Sequence, residues 1–233
     1  MRIENVELKN GAALIADVHY KNGDKDFLNL LEKWITSPPP QVFLLGDIFH
    51  LLLPFEFLID YNKQAVNLIN TLSQKTEVYY TPGNHDFNIE KIFPNVIFAD
   101  GFVDNKNNVF LTHGDLTDKD LFYKIYVIFI RNRLINKVLN CFSLNFLNNW
   151  LFKKILKKKV DCSKIDNFEK KIKEKLKTFD YDIIIEGHYH QNVILHLYDR
   201  KYINLPAFVC TKSYILIQLD KNPMIKEIKY DGR

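Results

Sequence analysis

The sequence predicts an α/β fold, and three observations point there. Short apolar runs recur along the chain, and most end in a cluster of Gly, Asp, Asn or His. Helical periodicities separate the early runs, and the C-terminal stretch changes to alternating segments joined by turn residues. Strand–helix–strand alternation with reactive side chains at the C-terminal ends of strands is the mark of α/β architecture.

Ala12–Ala16 runs into Asp17-Val18-His19, and Val42–Leu45 into Gly46-Asp47. Glu77–Tyr80 precedes Pro82-Gly83-Asn84-His85-Asp86. Val109–Thr112 meets His113-Gly114-Asp115, and Asp182–Glu186 meets Gly187-His188-Tyr189-His190. Runs of this length flanked by Gly or Pro read as buried strands. Between them, Phe27, Leu30, Leu31 and Trp34 keep helical spacing after Asp24, a candidate N-cap, and Ala65, Leu68, Ile69 and Leu72 repeat that spacing. Val193–Leu197, Lys201–Asn204, Tyr214–Leu219 and Ile225–Tyr230 alternate and are expected to complete a second sheet as antiparallel strands.

The chain has 233 residues, 47% hydrophobic and 26% charged, which fits one packed domain and excludes a disordered chain. The polar N-terminus MRIENVELKN does not have the form of a secretory signal, and the apolar runs are far shorter than the ~20 residues a membrane span needs. A cytoplasmic protein is expected. Its three cysteines, Cys141, Cys162 and Cys210, are irregularly spaced and read as free thiols in a reducing compartment. The net charge of +4 is divided: residues 119–177 carry +11 and the remainder −7. A basic element facing an anionic partner is expected on an acidic scaffold.

Residues 118–160 break the rhythm. They read as one or two helices, apolar nearly all round, and they fall between the His113 and His188 motifs. We expect one domain over 1–233 with a helical insertion at about 118–160 standing over the site as a lid. Five of the seven histidines, His19, His85, His113, His188 and His190, end strands that such a sheet brings to one edge. A lone histidine is seldom a ligand, but this clustering reads as a metal site. Carboxylates mixed with imidazoles, without cysteine, suit Mn²⁺, Fe²⁺ or Zn²⁺. Two ions ~3.5–4 Å apart hold a hydroxide and brace phosphoryl oxygens. Asp47, central among the clusters and with two carboxylate oxygens, is the natural bridge.

The pattern D-x-H, G-D, G-N-H-D, H and G-H-x-H resembles the calcineurin-like metallophosphoesterases. The resemblance implies a four-layer αββα sandwich and two divalent ions, with Mn²⁺ the foremost candidate. It implies that Asp17, His19 and His190 hold one ion, that Asn84, His113 and His188 hold the other, and that Asp47 bridges. His85 is then catalytic, stabilising transition-state charge or protonating the leaving group, with Asp86 orienting its imidazole. A helix N-cap is the competing reading for Asp86. Asp115 is a possible support for His113.

Within that superfamily the chain is similar to UDP-2,3-diacylglucosamine pyrophosphohydrolases. Gly46-Asp47-Ile48-Phe49, His113-Gly114-Asp115 with Thr117-Asp118 and Tyr123, and Arg131-Asn132-Arg133-Leu134 before the lysine cluster 153–159 carry this likeness. The implied substrate is a UDP-linked acylated glucosamine whose acyl chains sit under the lid. His50, Tyr123, Arg131, Arg133, Lys137, Lys154 and Lys158 are candidate substrate contacts. The same cations favour peripheral attachment to the inner-membrane surface, although a solvated lysine face is the blander reading. The chain departs from the best-known branch by having His85 and His50 where that branch has Arg and Glu. Competing readings are a phosphodiesterase or nucleotide pyrophosphatase for another amphiphile, and a non-catalytic module on the same scaffold. Nucleic acid is not an expected partner, because no binding motif accompanies the lysines.

Overall fold

The computed structural model describes residues 1–117, 154–219 and 223–232. In chain order its elements are β1 (Ile3–Asn5), β2 (Ala13–Ile15), α1 (Lys25–Thr36), β3 (Gln41–Leu45), α2 (Glu56–Tyr61), α3 (Lys63–Leu72) and β4 (Glu77–Thr81). There follow β5 (Ile97–Phe98), β6 (Gly101–Asp104), β7 (Val109–Thr112), α4 (Phe168–Leu176), β8 (Ile183–Glu186) and β9 (Val193–Leu197). The chain closes with β10 (Arg200–Asn204), α5 (Phe208–Thr211), β11 (Ser213–Leu219) and β12 (Pro223–Lys229). Of the expected insertion only its end is described, with residues 154–157 helical.

Two six-stranded sheets form, one ordered β1-β6-β7-β8-β10-β9 and the other β12-β11-β2-β3-β4-β5. Successive strand residues face opposite sides, and this alternation builds the layers. In β2, β3 and β4, Ala13, Ile15, Val42, Leu44, Val78 and Tyr80 face α1–α3, while Leu14, Phe43, Leu45 and Tyr79 face the other sheet. In β7, β8 and β10, Leu111, Ile185 and Ile203 face inward between the sheets, and Phe110, Ile184 and Tyr202 face α4. Three apolar layers therefore separate four layers of secondary structure, which is the αββα sandwich the sequence implies.

The expected caps and faces form. Asp24 accepts the amide of Asp26 at 3.1 Å to cap α1, whose buried residues are Phe27, Leu30, Leu31 and Trp34. Each such burial is worth roughly 1.5–3 kcal/mol. The strands β2, β3 and β4 are mutually parallel, as are β7 and β8, so their C-terminal ends share one rim.

Two expectations are corrected. The C-terminal strands do not form one sheet. β9 and β10 extend the first sheet, with β10 parallel to β8, whereas β11 and β12 extend the second. The turn of α5 carries the chain across, fixed by Phe208 and Val209 amides donating to the carbonyls of Ala16 and Asp17 at 3.1 Å each. The cysteines are not all free either: Cys162 and Cys210 form a disulfide with Cα atoms 5.9 Å apart. They lie 48 residues apart in sequence; the packing of α5 against the end of β2 places Cys210, and the contacts of Asp161 and Ser163 with His190 and Gln191 place Cys162.

Candidate metal centre

Five expected ligands occupy left-handed backbone: Asp17 (φ 51°), His19 (46°), Asp47 (50°), His188 (66°) and His190 (57°). Non-glycine residues pay about 1–2 kcal/mol for this conformation, so it persists only where neighbours hold it. Here the loops brace one another. The Asp17 amide donates to the Gly46 carbonyl at 3.1 Å, the His19 amide to the Asp47 carbonyl at 2.9 Å, and the His188 amide to Asp17 Oδ2 at 2.9 Å.

The glycines beside the ligands make this closeness possible. A Cβ on Gly46 would strike the His113 ring, one on Gly83 the Asp47 carboxylate, and one on Gly187 would come within 2.6 Å of Asp17 Oδ2. The sequence carries this signal directly, because a glycine immediately precedes Asp47, Asn84 and His188.

Side-chain atoms of the expected ligands converge. Ligand atoms of Asp17, His19 and His190 lie within 4.8 Å of one another, as do those of Asp17, Asp47 and His113. A third group joins His19 to His50 and His85, two residues expected to stand outside the ligand set. Asp47 Oδ2 lies 3.9 Å from His19 Nε2 and 3.5 Å from His113 Nε2, between the two groups. His190 Nε2 approaches Asp17 Oδ1 at 3.2 Å, and the His188 ring is 5.2 Å from that of His113.

The rings are also oriented as ligands. His113 Nδ1 donates to the Leu45 carbonyl at 2.9 Å and His190 Nδ1 to the Asp161 carbonyl at 2.7 Å, which makes Nε2 of each ring the atom available to a metal. Among the described residues, both ring nitrogens of His19, Nε2 of His113 and Oδ1 of Asn84 are buried without a hydrogen bond. Orphaned buried polar atoms cost about 1–3 kcal/mol each, and bound divalent cations are what these donors fit.

Electrostatics follow from burial and crowding. Burial works to lower His113, but Asp47, with Asp17 and Asp115, outweighs it and raises the imidazole to about 10. Burial dominates at His19 and His188, lowering them to about 4 and about 3. Asp17 and Asp47 fall below the ordinary carboxylate value, despite burial, because histidines surround them.

His85 and Asp86 divide differently from expectation. His85 Nδ1 donates to the His50 carbonyl at 2.8 Å, and its amide donates to Asp47 Oδ1 at 2.9 Å. Asp86 does not orient that ring. Its carboxylate accepts the amides of Asp47, Ile48, Phe49 and Gly83 and the hydroxyl of Tyr80, at 2.6–3.1 Å. Nor does it cap an α-helix, since none begins there among the described residues. Its carboxylate clasps the Asp47 loop to the Asn84 loop.

A cavity of about 220 Å³ opens onto the centre, lined by His19, Asp47, Asn84, His85, His188 and His190, with His50 and the segment Lys158–Asp161 on its wall. His50 is 1% exposed and reaches the Ile155 carbonyl from Nε2 at 3.0 Å, so it anchors the end of the insertion. Lys158 lines the cavity, whereas Lys154 is exposed and does not. Tyr123, Arg131, Arg133 and Lys137 lie outside the described residues. No helix among the described residues is long and apolar enough to cross a membrane.

Among proteins of known name, the chain is 31% identical over 113 residues to the UDP-2,3-diacylglucosamine hydrolase of Chromohalobacter salexigens. That alignment covers 44% of this chain and 46% of the relative, less than half its length. It is 26% identical over 246 residues to the same-named protein of Wigglesworthia glossinidia brevipalpis, covering 89% of this chain and 90% of the relative. Solved structures that resemble it include an archaeal phosphodiesterase (16% identity, 93% of this chain and 98% of that one, TM-score 0.46). Another is a dimetal phosphatase from Danio rerio (13% identity, 95% and 99%, TM-score 0.44). Residues 12–192 match the family of calcineurin-like phosphoesterases, which use a dinuclear metal centre. That match spans every loop described above, and the chain therefore belongs to the calcineurin-like phosphoesterases and is a metal-dependent phosphoester hydrolase.

Proposed function

We propose that the chain hydrolyses the diphosphate of UDP-2,3-diacylglucosamine, giving UMP and 2,3-diacylglucosamine 1-phosphate (lipid X) for lipid A biosynthesis. The observation that carries this is the alignment with a relative named for that substrate along 89% of this chain and 90% of its own. Asp17, His19 and His190 would hold one ion and Asn84, His113 and His188 the other, with Asp47, whose Oδ2 lies 3.9 Å from His19 Nε2 and 3.5 Å from His113 Nε2, as the shared ligand. Mn²⁺ is the foremost choice, with Fe²⁺ and Zn²⁺ as alternatives for the same donors. Bound there, the ions supply a hydroxide at neutral pH and stabilise charge on the phosphoryl oxygens.

The chain's own residues do the rest. Water oxygen adds to the α-phosphorus and stays with UMP, while the bond from that phosphorus to the bridging oxygen breaks and the sugar phosphate leaves. His85, its Nδ1–H fixed on the His50 carbonyl, presents Nε2 to the cavity to stabilise that charge or protonate the leaving oxygen. Lys158, on the cavity wall, faces the diphosphate. His50 anchors the described end of the insertion at the Ile155 carbonyl, and the acylated substrate and the cytoplasmic face of the inner membrane are the proposed partners of the chain. His85 and His50, in place of the Arg and Glu of the best-known branch, favour a second reading: a phosphodiesterase or pyrophosphatase for another amphiphile.

Turnover of UDP-2,3-diacylglucosamine by the Mn²⁺-loaded protein, compared with UDP-glucose and bis-p-nitrophenyl phosphate, separates the two. The acylated substrate is expected to dominate. Equal turnover of UDP-glucose would refute the lipid assignment and leave the metal chemistry standing.

A further inference from the structure

Lys175 lies in the lysine-rich helix α4 on the face it shares with Phe168, Ile172 and Leu176, and it is 2% exposed. A buried ammonium is costly unless its charge is balanced and its donors are met. Both conditions hold. Nζ lies 2.7 Å from Glu186 Oε2, 3.1 Å from the Gly114 carbonyl and 3.2 Å from the Tyr189 hydroxyl. Its three protons thus meet three acceptors. Glu186, itself fully buried, also accepts the Tyr202 hydroxyl at 2.9 Å and the Thr117 hydroxyl at 3.0 Å.

These partners belong to two ligand loops. Gly114 follows His113, Glu186 ends β8 two residues before His188, and Tyr189 follows His188. Gly114 (φ +111°) packs so closely that a Cβ there would meet Glu186 at 3.3 Å. The other ion's ligands have supports of their own, Gly46 and Asp47 for the Asp17–His19 loop and Asp161 for His190, besides the His188 amide that donates to Asp17 Oδ2 at 2.9 Å.

We propose that Lys175 is a positioning residue that fixes the His113 and His188 loops against each other and so sets the affinity of the second metal position. This rests on the ligand assignment under Proposed function. Lys175 touches neither substrate nor metal; it acts through Glu186, Gly114 and Tyr189.

The test is calorimetric and EPR titration of EDTA-stripped, full-length protein with Mn²⁺, reading the two ions separately. Lys175→Met should bind the first ion with wild-type affinity and the second at least tenfold more weakly, and should lose the exchange-coupled Mn²⁺ pair at concentrations that saturate the wild type. Should Met at 175 leave Glu186 buried and unpaired enough to prevent folding, the double variant Lys175→Met with Glu186→Gln removes both charges and is read the same way. A purely structural role predicts a lower melting temperature with both ions affected alike. Unchanged affinities in the folded variant, or equal weakening at both positions, would overturn the inference. Fewer than two ions on the wild type would instead overturn the dinuclear reading, and this inference with it.

Discussion

Gly83 lies so close to Asp47 that a Cβ on it would stand 2.8 Å from the Asp47 carboxyl carbon and closer still to Oδ1 and the backbone nitrogen. The carboxylate proposed to bridge the metals is therefore placed by the absence of a side chain on a neighbouring strand's loop. Gly83→Ala should displace Asp47, and a displacement near 1 Å costs about 10²-fold in activity. Steady-state kinetics with metal content measured in parallel check this. Unchanged kcat/KM would show that the loop yields without moving the carboxylate.

Asp86 carries a different load. With five donors on one buried carboxylate, its removal strands amides from both ligand loops. Asp86→Ala should lower stability by about 3 kcal/mol or more, read from urea unfolding. An orienting role toward His85 alone predicts lower kcat at unchanged stability, so the two roles separate cleanly.

His85 has its amide on Asp47 and its Nδ1 on His50, which leaves Nε2 as the working atom. His85→Ala should lower kcat by about 10²–10⁴-fold while both metal ions stay bound. Metal analysis alongside kinetics tests it, and wild-type kcat in the variant would remove His85 from the mechanism.

Protonation at His113 sets how metal uptake depends on pH. Burial opposes the charged ring, but Asp47, Asp17 and Asp115 raise it to about 10 from 6.5. In EDTA-treated protein at pH 7 this ring is protonated, and a metal ligand must be neutral. Uptake should release a proton, and apparent affinity should rise by up to about tenfold per pH unit between 7 and 9. The sign for stability is the reverse. A folded value above the unfolded one contributes stability that is full below pH 6.5 and lost as pH rises through about 10, so stripped protein should melt lower at pH 10 than at 6.5. Calorimetry in buffers of different ionisation enthalpy counts the proton; none released at pH 7 would contradict the raised value.

Much of this was legible in the sequence because it is periodic or local. The helical spacing of Phe27, Leu30, Leu31 and Trp34 reads directly as the face of α1, and a buried strand followed by Gly-Asp or Gly-His-x-His announces a ligand loop. What failed to read depends on distant partners. Asp86 looks like a cap or a dyad acid until Tyr80 and the Asp47 loop surround it. Lys175 shares the buried face of α4 with Phe168, Ile172 and Leu176, and only tertiary structure shows that Glu186, Gly114 and Tyr189 meet its charge and protons there. β10 alternates as an antiparallel strand would, and no periodicity reveals that it pairs parallel to β8.

The disulfide is the clearest case of a long-range partner, and it bears on the site. Cys210 sits on α5, whose first amides hold the carbonyls of Ala16 and Asp17, while Cys162 adjoins Asp161, the acceptor for His190 Nδ1. Gln191 adds to the same join, accepting the Ile165 amide at 2.9 Å and donating to the Ser163 carbonyl at 3.2 Å. The bond thus links two ligands of one proposed ion, Asp17 and His190, from behind. Closing a loop of 48 residues constrains the unfolded chain by about 4 kcal/mol in the entropic account. Replacing both cysteines with serine should therefore lower stability by about 2–4 kcal/mol and weaken the ion held by Asp17, His19 and His190 more than its neighbour. Thiol titration of denatured protein gives the direct check on the bond: with three cysteines in the chain, one thiol should react before reduction and all three after. Three reactive thiols before reduction would mean that the tether does not form, and the stability loss should then be absent as well.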